Sequence, residues 1–322
     1  MLYQLLKRMQ NKCLYCYQPL DGEQDFHEKC SLEFFRLSVP PQIPYSIDQM
    51  AELAKEVVDR SVAVPGVQPK LSMSIAKDAQ ENADTRLTVV GALGGNYILK
   101  PPSLDFMEMP ENEHLTMRMA EAFGIRVVPS SLIRLASGEL SYITRRIDRT
   151  ESGEKIHMLD MFQITEAFDK YKSSMERVGK ALHTYSNNTL LDKIFYFELV
   201  VFCFLTGNND MHLKNFSMIE SPSGWALAPA YDLLNATIVL PEDTEELALT
   251  LEGKKKKLKR EHFERLGQGL ELTSKQVSGV FKRMTRDKPK AFQWIDKSFL
   301  SEGMKKVYKQ LLESRYKQLS LK

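Results

Sequence analysis

With 322 residues, 43% of them hydrophobic, the chain is long enough for two lobes around a sizeable core and too apolar for a disordered polymer. Its 44 basic and 42 acidic residues leave a net charge of +2, which excludes a global polybasic field, so no direct nucleic acid contact is expected. The longest apolar run, 195–205, is interrupted by Glu198 and falls short of the roughly 20 residues that span a bilayer; with no secretory leader pattern at the N-terminus, the expectation is a cytoplasmic protein without a membrane segment.

Residues 1–37 form the first unit, a small cap that carries Cys13-Leu-Tyr-Cys16 and His27-Glu-Lys-Cys30. Two close pairs separated by a short loop have the spacing of structural Zn2+ ligands, each pair clipping one side of a tetrahedral ion. The alternative is three reduced cysteines and a surface histidine. Residues 38–60 read as a proline-rich connector, Ser38-Val-Pro-Pro-Gln-Ile-Pro44, followed by a helix from the Ser46/Gln49 capping box to Arg60.

Residues 61–150 read as a β-rich lobe. Ser61-Val-Ala-Val-Pro-Gly-Val-Gln-Pro-Lys70 holds a Pro-Gly turn, either an ordinary hairpin or a loop whose amides approach an anion. Strands are expected over 71–76, 86–90 and 96–100, the last two joined by the glycine turn 91–95. Lys100, closing an apolar strand, either snorkels to solvent or reaches nucleotide phosphates. A helix runs from Pro110 and Glu111 to Gly124, with Glu113 in its first turn suiting the dipole, and strands are expected over 126–135 and 139–147.

Residues 151–322 read as a helical lobe, with helices over 158–169, 173–185, 189–206, 261–270, 274–286 and 302–317. The stretch Gly207-Asn-Asn-Asp210-Met-His212-Leu-Lys214-Asn215-Phe216 follows the most apolar helix, so ionisable residues are delivered from the end of a buried element. An aspartate five residues before an asparagine is phosphotransferase spacing: the carboxylate handles the attacking hydroxyl and the asparagine holds Mg2+. A hairpin over 216–219 and 225–228 ends in Pro229-Ala-Tyr-Asp232. Asp232 is either a second Mg2+ ligand or the N-cap of a following helix. The acidic-then-basic segment 241–259 reads as a solvated loop.

The order of a glycine turn, a strand lysine, a connector, an Asp…Asn loop and a hairpin ending in aspartate predicts an α+β, bilobal protein-kinase-like fold. From about Ser61 to its end the chain resembles the HipA-like serine/threonine kinase toxins of toxin–antitoxin systems. The resemblance is carried by Ser61-Val-Ala…Gly66-Val-Gln-Pro-Lys70, Tyr97-Ile-Leu-Lys100, Asn112-Glu113, Arg146-Ile-Asp-Arg149, Asn209-Asp210-Met-His212-Leu-Lys-Asn215-Phe216 and Pro229-Ala-Tyr-Asp-Leu233. It implies an ATP- and Mg2+-dependent protein serine kinase that phosphorylates an aminoacyl-tRNA synthetase and arrests growth. Asp210 would be the base, Asn215 and Asp232 the Mg2+ ligands and Lys100 the phosphate clamp. ATP would lie against Val64, Pro65, Gly66, Val67, Gln68 and Lys70 of the phosphate loop, against Arg145, Ile147 and Asp148 of the connector, and against Lys214. His212 is either a phosphate-side contact or a structural histidine. Ser61 would be an autophosphorylation site whose dianion repels bound triphosphate.

Two features depart from the family's pattern. The connector reads Arg145-Arg-Ile-Asp-Arg149 where the family has Glu-Arg-Phe-Asp-Arg; a serine in place of Ala63 would make a Ser-x-Ser autophosphorylation pair. Only the cysteine-bearing cap precedes Pro40, so the chain looks like the shortened, HipT-like branch, whose missing subdomain is a separate small protein alongside a helix-turn-helix antitoxin. Two other readings fit part of the pattern: a small-molecule kinase of the aminoglycoside or choline type, through Asp210-x-His212-x-x-Asn215, and a non-catalytic zinc-bearing regulatory protein.

Overall fold

The computed structural model describes residues 11–60, 70–76, 85–90, 94–103 and 105–321, with the backbone alone over 54–60. The chain divides into two compact units, one of residues 1–114, 129–154 and 297–299, the other of 115–128, 155–296 and 300–322.

In the first unit, α1 (Glu28–Phe35) belongs to the cap and α2 (Ile47–Arg60) follows the connector. The expected capping box is formed: Gln49 Oε1 accepts from the Ser46 amide at 2.9 Å and Ser46 Oγ from the Gln49 amide. An antiparallel sheet follows, with β1 (Leu71–Ala76), β2 (Arg86–Val89), β3 (Tyr97–Lys100), β4 (Ser130–Arg134) and β5 (Leu140–Arg145) in the order β2-β1-β3-β5-β4. Alternation sets its buried face: Leu71, Met73, Leu87, Tyr97 and Leu99 are buried, while Ser72 and Ser74 lie half-exposed. Helix α3 (Met109–Ala122) sits between β3 and β4 in the chain, and its first turn belongs to this unit. As expected, it ends at Gly124, which takes a left-handed φ of 82°.

The second unit holds a three-stranded antiparallel sheet of β6 (Met158–Asp160), β7 (Ser217–Ser221) and β8 (Gly224–Leu227). Around it lie α4 (Met161–Ile164), α5 (Met175–Tyr185), α6 (Thr189–Thr206), α7 (Ala236–Val239), α8 (Arg260–Gly269), α9 (Ser274–Lys297) and α10 (Glu302–Gln318). Helix α6 is the centre of the core: every residue from Tyr196 to Thr206 is buried, so it reads as apolar all round rather than amphipathic.

Four expectations are corrected. The helix over 158–169 is instead strand β6 and the single turn α4, because the backbone of Met158–Asp160 pairs with Ser217–Ile219 and Asp160 then caps the turn through the Gln163 amide. The strand over 126–135 is confined to Ser130–Arg134, since Val127 and Val128 pair instead with Ala230, within the second unit. Helix α9 runs on through Pro289 to Lys297, because Ala291 and Ile295 continue the buried face of Val277, Val280 and Met284 and outweigh the one hydrogen bond a proline removes. The segment 241–259 is not a solvated loop: Leu247, Ala248, Leu249, Leu251 and Leu258 are buried, and the Thr250 amide donates to the Ser173 carbonyl.

Candidate active site

The catalytic-loop candidates follow directly from the end of α6. Gly207 terminates the helix with φ 71°, which favours glycine, and a Cβ there would come within 2.4 Å of Leu311 Cδ2 and 2.7 Å of Asn235 Oδ1, so a larger residue would also have to displace those side chains. Asn209 Nδ2 donates to Asp243 Oδ2 at 3.0 Å and to the Glu245 carbonyl at 3.1 Å, tying the loop to the folded 241–259 segment. Asp210 is half-exposed, and its Oδ1 accepts from the Tyr171 hydroxyl at 2.7 Å. Asn215, buried on the 3₁₀ turn Leu213–Asn215, donates through Nδ2 to the Asp210 carbonyl at 3.1 Å. That bond fixes the amide so that Oδ1 is the atom left to offer a hard cation.

His212 is buried with its ring edge-on to Tyr171 at 5.1 Å and with Nδ1 lacking a hydrogen-bond partner. Burial pushes its pKa down to about 4, with the Lys170 charge adding to the effect and Asp210 and Asp232 opposing it. The ring is therefore neutral at pH 7 and stands within electrostatic reach of both aspartates. Lys214 is exposed, with its ammonium 4.8 Å from the centre of the Phe162 ring.

Asp232 takes a left-handed φ of 56°, a conformation aspartate tolerates better than most side chains. Its position is set from both sides. Ala230 exchanges backbone hydrogen bonds with Arg126 and Val128, at 2.8 and 3.0 Å, and the Tyr231 hydroxyl donates to the Lys214 carbonyl at 2.9 Å. The alternative of an N-cap is overturned, because Asn235 caps α7 through the Ile238 amide.

In the other unit, Lys100 Nζ lies 2.6 Å from Glu113 Oε1, with only 4% and 2% of the two side chains exposed, and 5.3 Å from the centre of the Tyr142 ring. Lys100 closes β3 opposite Tyr142 of β5, and Glu113 projects from the first part of α3. Lys100 thus does not snorkel. Gly95 turns the chain into β3 with φ 80°, where a Cβ would meet the Met73 carbonyl at 2.6 Å. Arg146 braces this turn by donating to the Gly94 carbonyl at 3.2 Å, and it also clamps Asp148 with bonds of 2.8 and 2.6 Å. Burial of Asp148 works against its charge, but Arg146 and then Arg149 prevail and hold its pKa below the usual value. Arg145 and Ile147 are half-buried beside it, and Lys70 is exposed just before β1.

The sequence-predicted residues therefore gather in two sets, Asp210, His212, Lys214, Asn215 and Asp232 in one unit, and Lys100 with the Arg145–Asp148 connector in the other. Cys13, Cys16, His27 and Cys30 form a third, with their ligand atoms all within 4.8 Å of one another. Ser61, Val64, Pro65, Gly66, Val67 and Gln68 lie outside the described residues. Sequence reasoning missed Glu113 as the lysine's partner, although Asn112-Glu113 was in view, and it missed Tyr171, for which the sequence carries no signal.

The model of the HipA-like C-terminal domain family matches residues 62–292. A Haemophilus influenzae relative that carries a provisional kinase name is 28% identical over 211 residues, 61% of this chain and 59% of the relative. The serine/threonine-protein kinase toxin HipA of Shewanella oneidensis is 26% identical over 212 residues, 59% of this chain and 47% of that protein. The chain thus spans about half the length of the curated relatives it matches. The solved S. oneidensis complex of HipA, HipB and operator DNA matches with a TM-score of 0.68 at 21% identity, covering 86% of this chain and 71% of that one. The proinflammatory kinase CtkA of Helicobacter pylori matches with a TM-score of 0.50 at 15% identity, over 69% of this chain and 87% of that one. These likenesses bear out the expected α+β, kinase-like fold.

Proposed function

The chain belongs to the family of HipA-like C-terminal domains, and from that premise we propose that it is an ATP-dependent protein serine kinase acting as the toxin of a toxin–antitoxin system. The observation that carries the proposal is the buried Lys100–Glu113 pair. A lysine closing a sheet strand and held by a helix glutamate is how protein kinases present an ammonium to nucleotide phosphates. A surface lysine has no need of a fully desolvated carboxylate.

In this reading Asp210 orients the attacking serine hydroxyl and takes its proton, and Asn215 and Asp232 supply oxygen donors to Mg2+. Both are hard ligands of the kind magnesium selects. When bound, the metal neutralises charge on the transferred phosphoryl group. Lys100 holds the phosphates, His212 and Lys214 are further phosphate-side contacts, and Val64, Pro65, Gly66, Val67 and Gln68, which lie outside the described residues, would bind ATP together with Lys70. Arg145 and Ile147 offer backbone groups to adenine. Asp148 faces the ribose with acceptor capacity left over from Arg146, since a carboxylate offers about four lone-pair sites.

The substrate is an aminoacyl-tRNA synthetase, and Ser61 is modified in cis or in trans. The partners are a helix-turn-helix antitoxin and a small protein that completes the N-terminal region, in the cytoplasm. Incubation with magnesium-ATP followed by mass spectrometry should place a phosphate on Ser61 in the native chain and none in Asp210→Gln, and a phosphoproteome of expressing cells should identify the synthetase. An unmodified native chain that instead phosphorylates a metabolite would overturn the proposal.

A further inference from the structure

The cap presents four donors in the arrangement a tetrahedral ion needs. Cys16 Sγ and Cys30 Sγ lie 3.4 and 3.8 Å from His27 Nδ1, against about 3.5 Å for the sulfur–nitrogen edge of a zinc tetrahedron built from bonds of about 2.3 and 2.0 Å. His27 Nε2 lies 3.0 Å from the Pro19 carbonyl. A carbonyl only accepts, so Nε2 carries the proton and the Nδ1 lone pair faces the sulfurs, the usual way an outer contact fixes the tautomer of a ligating histidine.

The backbone is shaped to the same end. Cys13 and Cys16 bracket a tight turn in which the Tyr17 amide donates to the Cys13 carbonyl at 2.9 Å, with Tyr17 at φ 62°. Cys30 comes from the first turn of α1, and all three cysteines are unbridged. Among its described residues the cap has one eight-residue helix and a single isolated β-bridge, Lys12 with Pro19, which is little regular structure to hold this geometry.

The clipped turn also grips the elements that carry the Lys100–Glu113 pair. Tyr17, buried at the end of the Cys13–Cys16 turn, places its hydroxyl 2.9 Å from Nδ1 of His114, the residue after Glu113. Phe34 and Phe35 of α1 pack on Tyr97 of β3 with ring centres 5.9 and 6.0 Å apart, three residues before Lys100. The Leu14 carbonyl accepts from the Leu132 amide on the edge strand β4.

We propose that Cys13, Cys16, Cys30 and Nδ1 of His27 hold one structural Zn2+, and that the metal, acting through Tyr17 and His114, fixes the start of α3 and with it Glu113. The metal site stands on its own geometry; its consequence for phosphoryl transfer rests on the kinase reading. Tyr17 is on this account a positioning residue remote from the reacting atoms.

The test is metal analysis of the full chain together with hydrogen exchange over residues 109–114, neither of which needs activity. The native chain should carry one zinc, and Cys16→Ser/Cys30→Ser none. Chelation should accelerate exchange over 109–114, and restored Zn2+ should reverse it. Tyr17→Phe should keep its zinc yet accelerate the same amides by about two- to tenfold, the worth of one buried hydrogen bond in a local opening equilibrium. A native chain without zinc overturns the site. Unchanged exchange over 109–114 after the metal has left, or in Tyr17→Phe, overturns the coupling. A zinc-loaded, exchange-coupled chain that transfers no phosphate would instead count against the kinase reading alone.

Discussion

Replacing Glu113 by alanine is the sharpest perturbation of the first unit. The ammonium and carboxylate lie 2.6 Å apart with almost no exposed side-chain surface. At an effective dielectric constant of about 20 their attraction is about 6 kcal/mol, against a desolvation penalty of several kcal/mol for each ion. The net worth of the pair is therefore small, but removing one partner leaves a buried charge, which costs about 3–5 kcal/mol. For a unit of this size that corresponds to a fall in Tm of roughly 6–20 °C. The double variant Lys100→Met/Glu113→Leu should recover most of the lost stability while transferring no phosphate, because it removes the buried charge that the single variant leaves and also the proposed phosphate clamp. Urea and thermal unfolding of the two single variants and the double form the cycle. A loss below about 1 kcal/mol in Glu113→Ala, with no recovery in the double variant, would show that water reaches the pair and that the burial argument fails.

Glu111, two residues earlier, should respond to pH in a defined direction. Burial raises its pKa to about 7, with its own backbone bond opposing and Glu108 adding. A carboxyl raised in the folded state favours folding below its unfolded value of about 4.5 and loses that advantage as pH rises through about 7. Glu111→Gln should therefore stabilise the chain by about 1–2 kcal/mol at pH 8, a figure reduced for its partial exposure, and by little at pH 5; equal shifts in urea titrations at the two pH values would refute this. Tyr171→Phe removes the hydroxyl that occupies Asp210 Oδ1, and it should raise kcat/KM for the protein acceptor by about two- to tenfold if that bond competes with the incoming serine. A fall in kcat would mean that Tyr171 aligns the carboxylate.

What the sequence made legible was what adjacent residues determine. The loop from Asp210 to Asn215 needs only a buried helix to stop at Gly207, and both the apolar run and the glycine are contiguous with it. The cap's donor set was visible for the same reason, since its two pairs are each closed by a short turn. Residues whose roles come from long-range pairing were not visible. Tyr171 reaches Asp210 across 39 positions, and the stretch before it reads as one helix because Met158, Met161 and Phe162 fit a helical period as well as they fit a strand followed by a turn.

Asp232 shows the same limit from the other side. Its sequence context favours a metal ligand after a hairpin and still admits an N-cap. The distinction lies in the backbone, where Ala230 pairs with Arg126 and Val128, residue 232 takes the left-handed region and Asn235 caps α7. Those same backbone bonds explain why 126–128 is absent from the first unit's sheet, although its residues suit a strand. A short extended segment goes wherever its amides find partners, and here the partner is the segment that presents an aspartate. Strand propensity identified the conformation correctly at 126–128 and still misassigned its neighbour, because propensity carries no information about which edge supplies the acceptors.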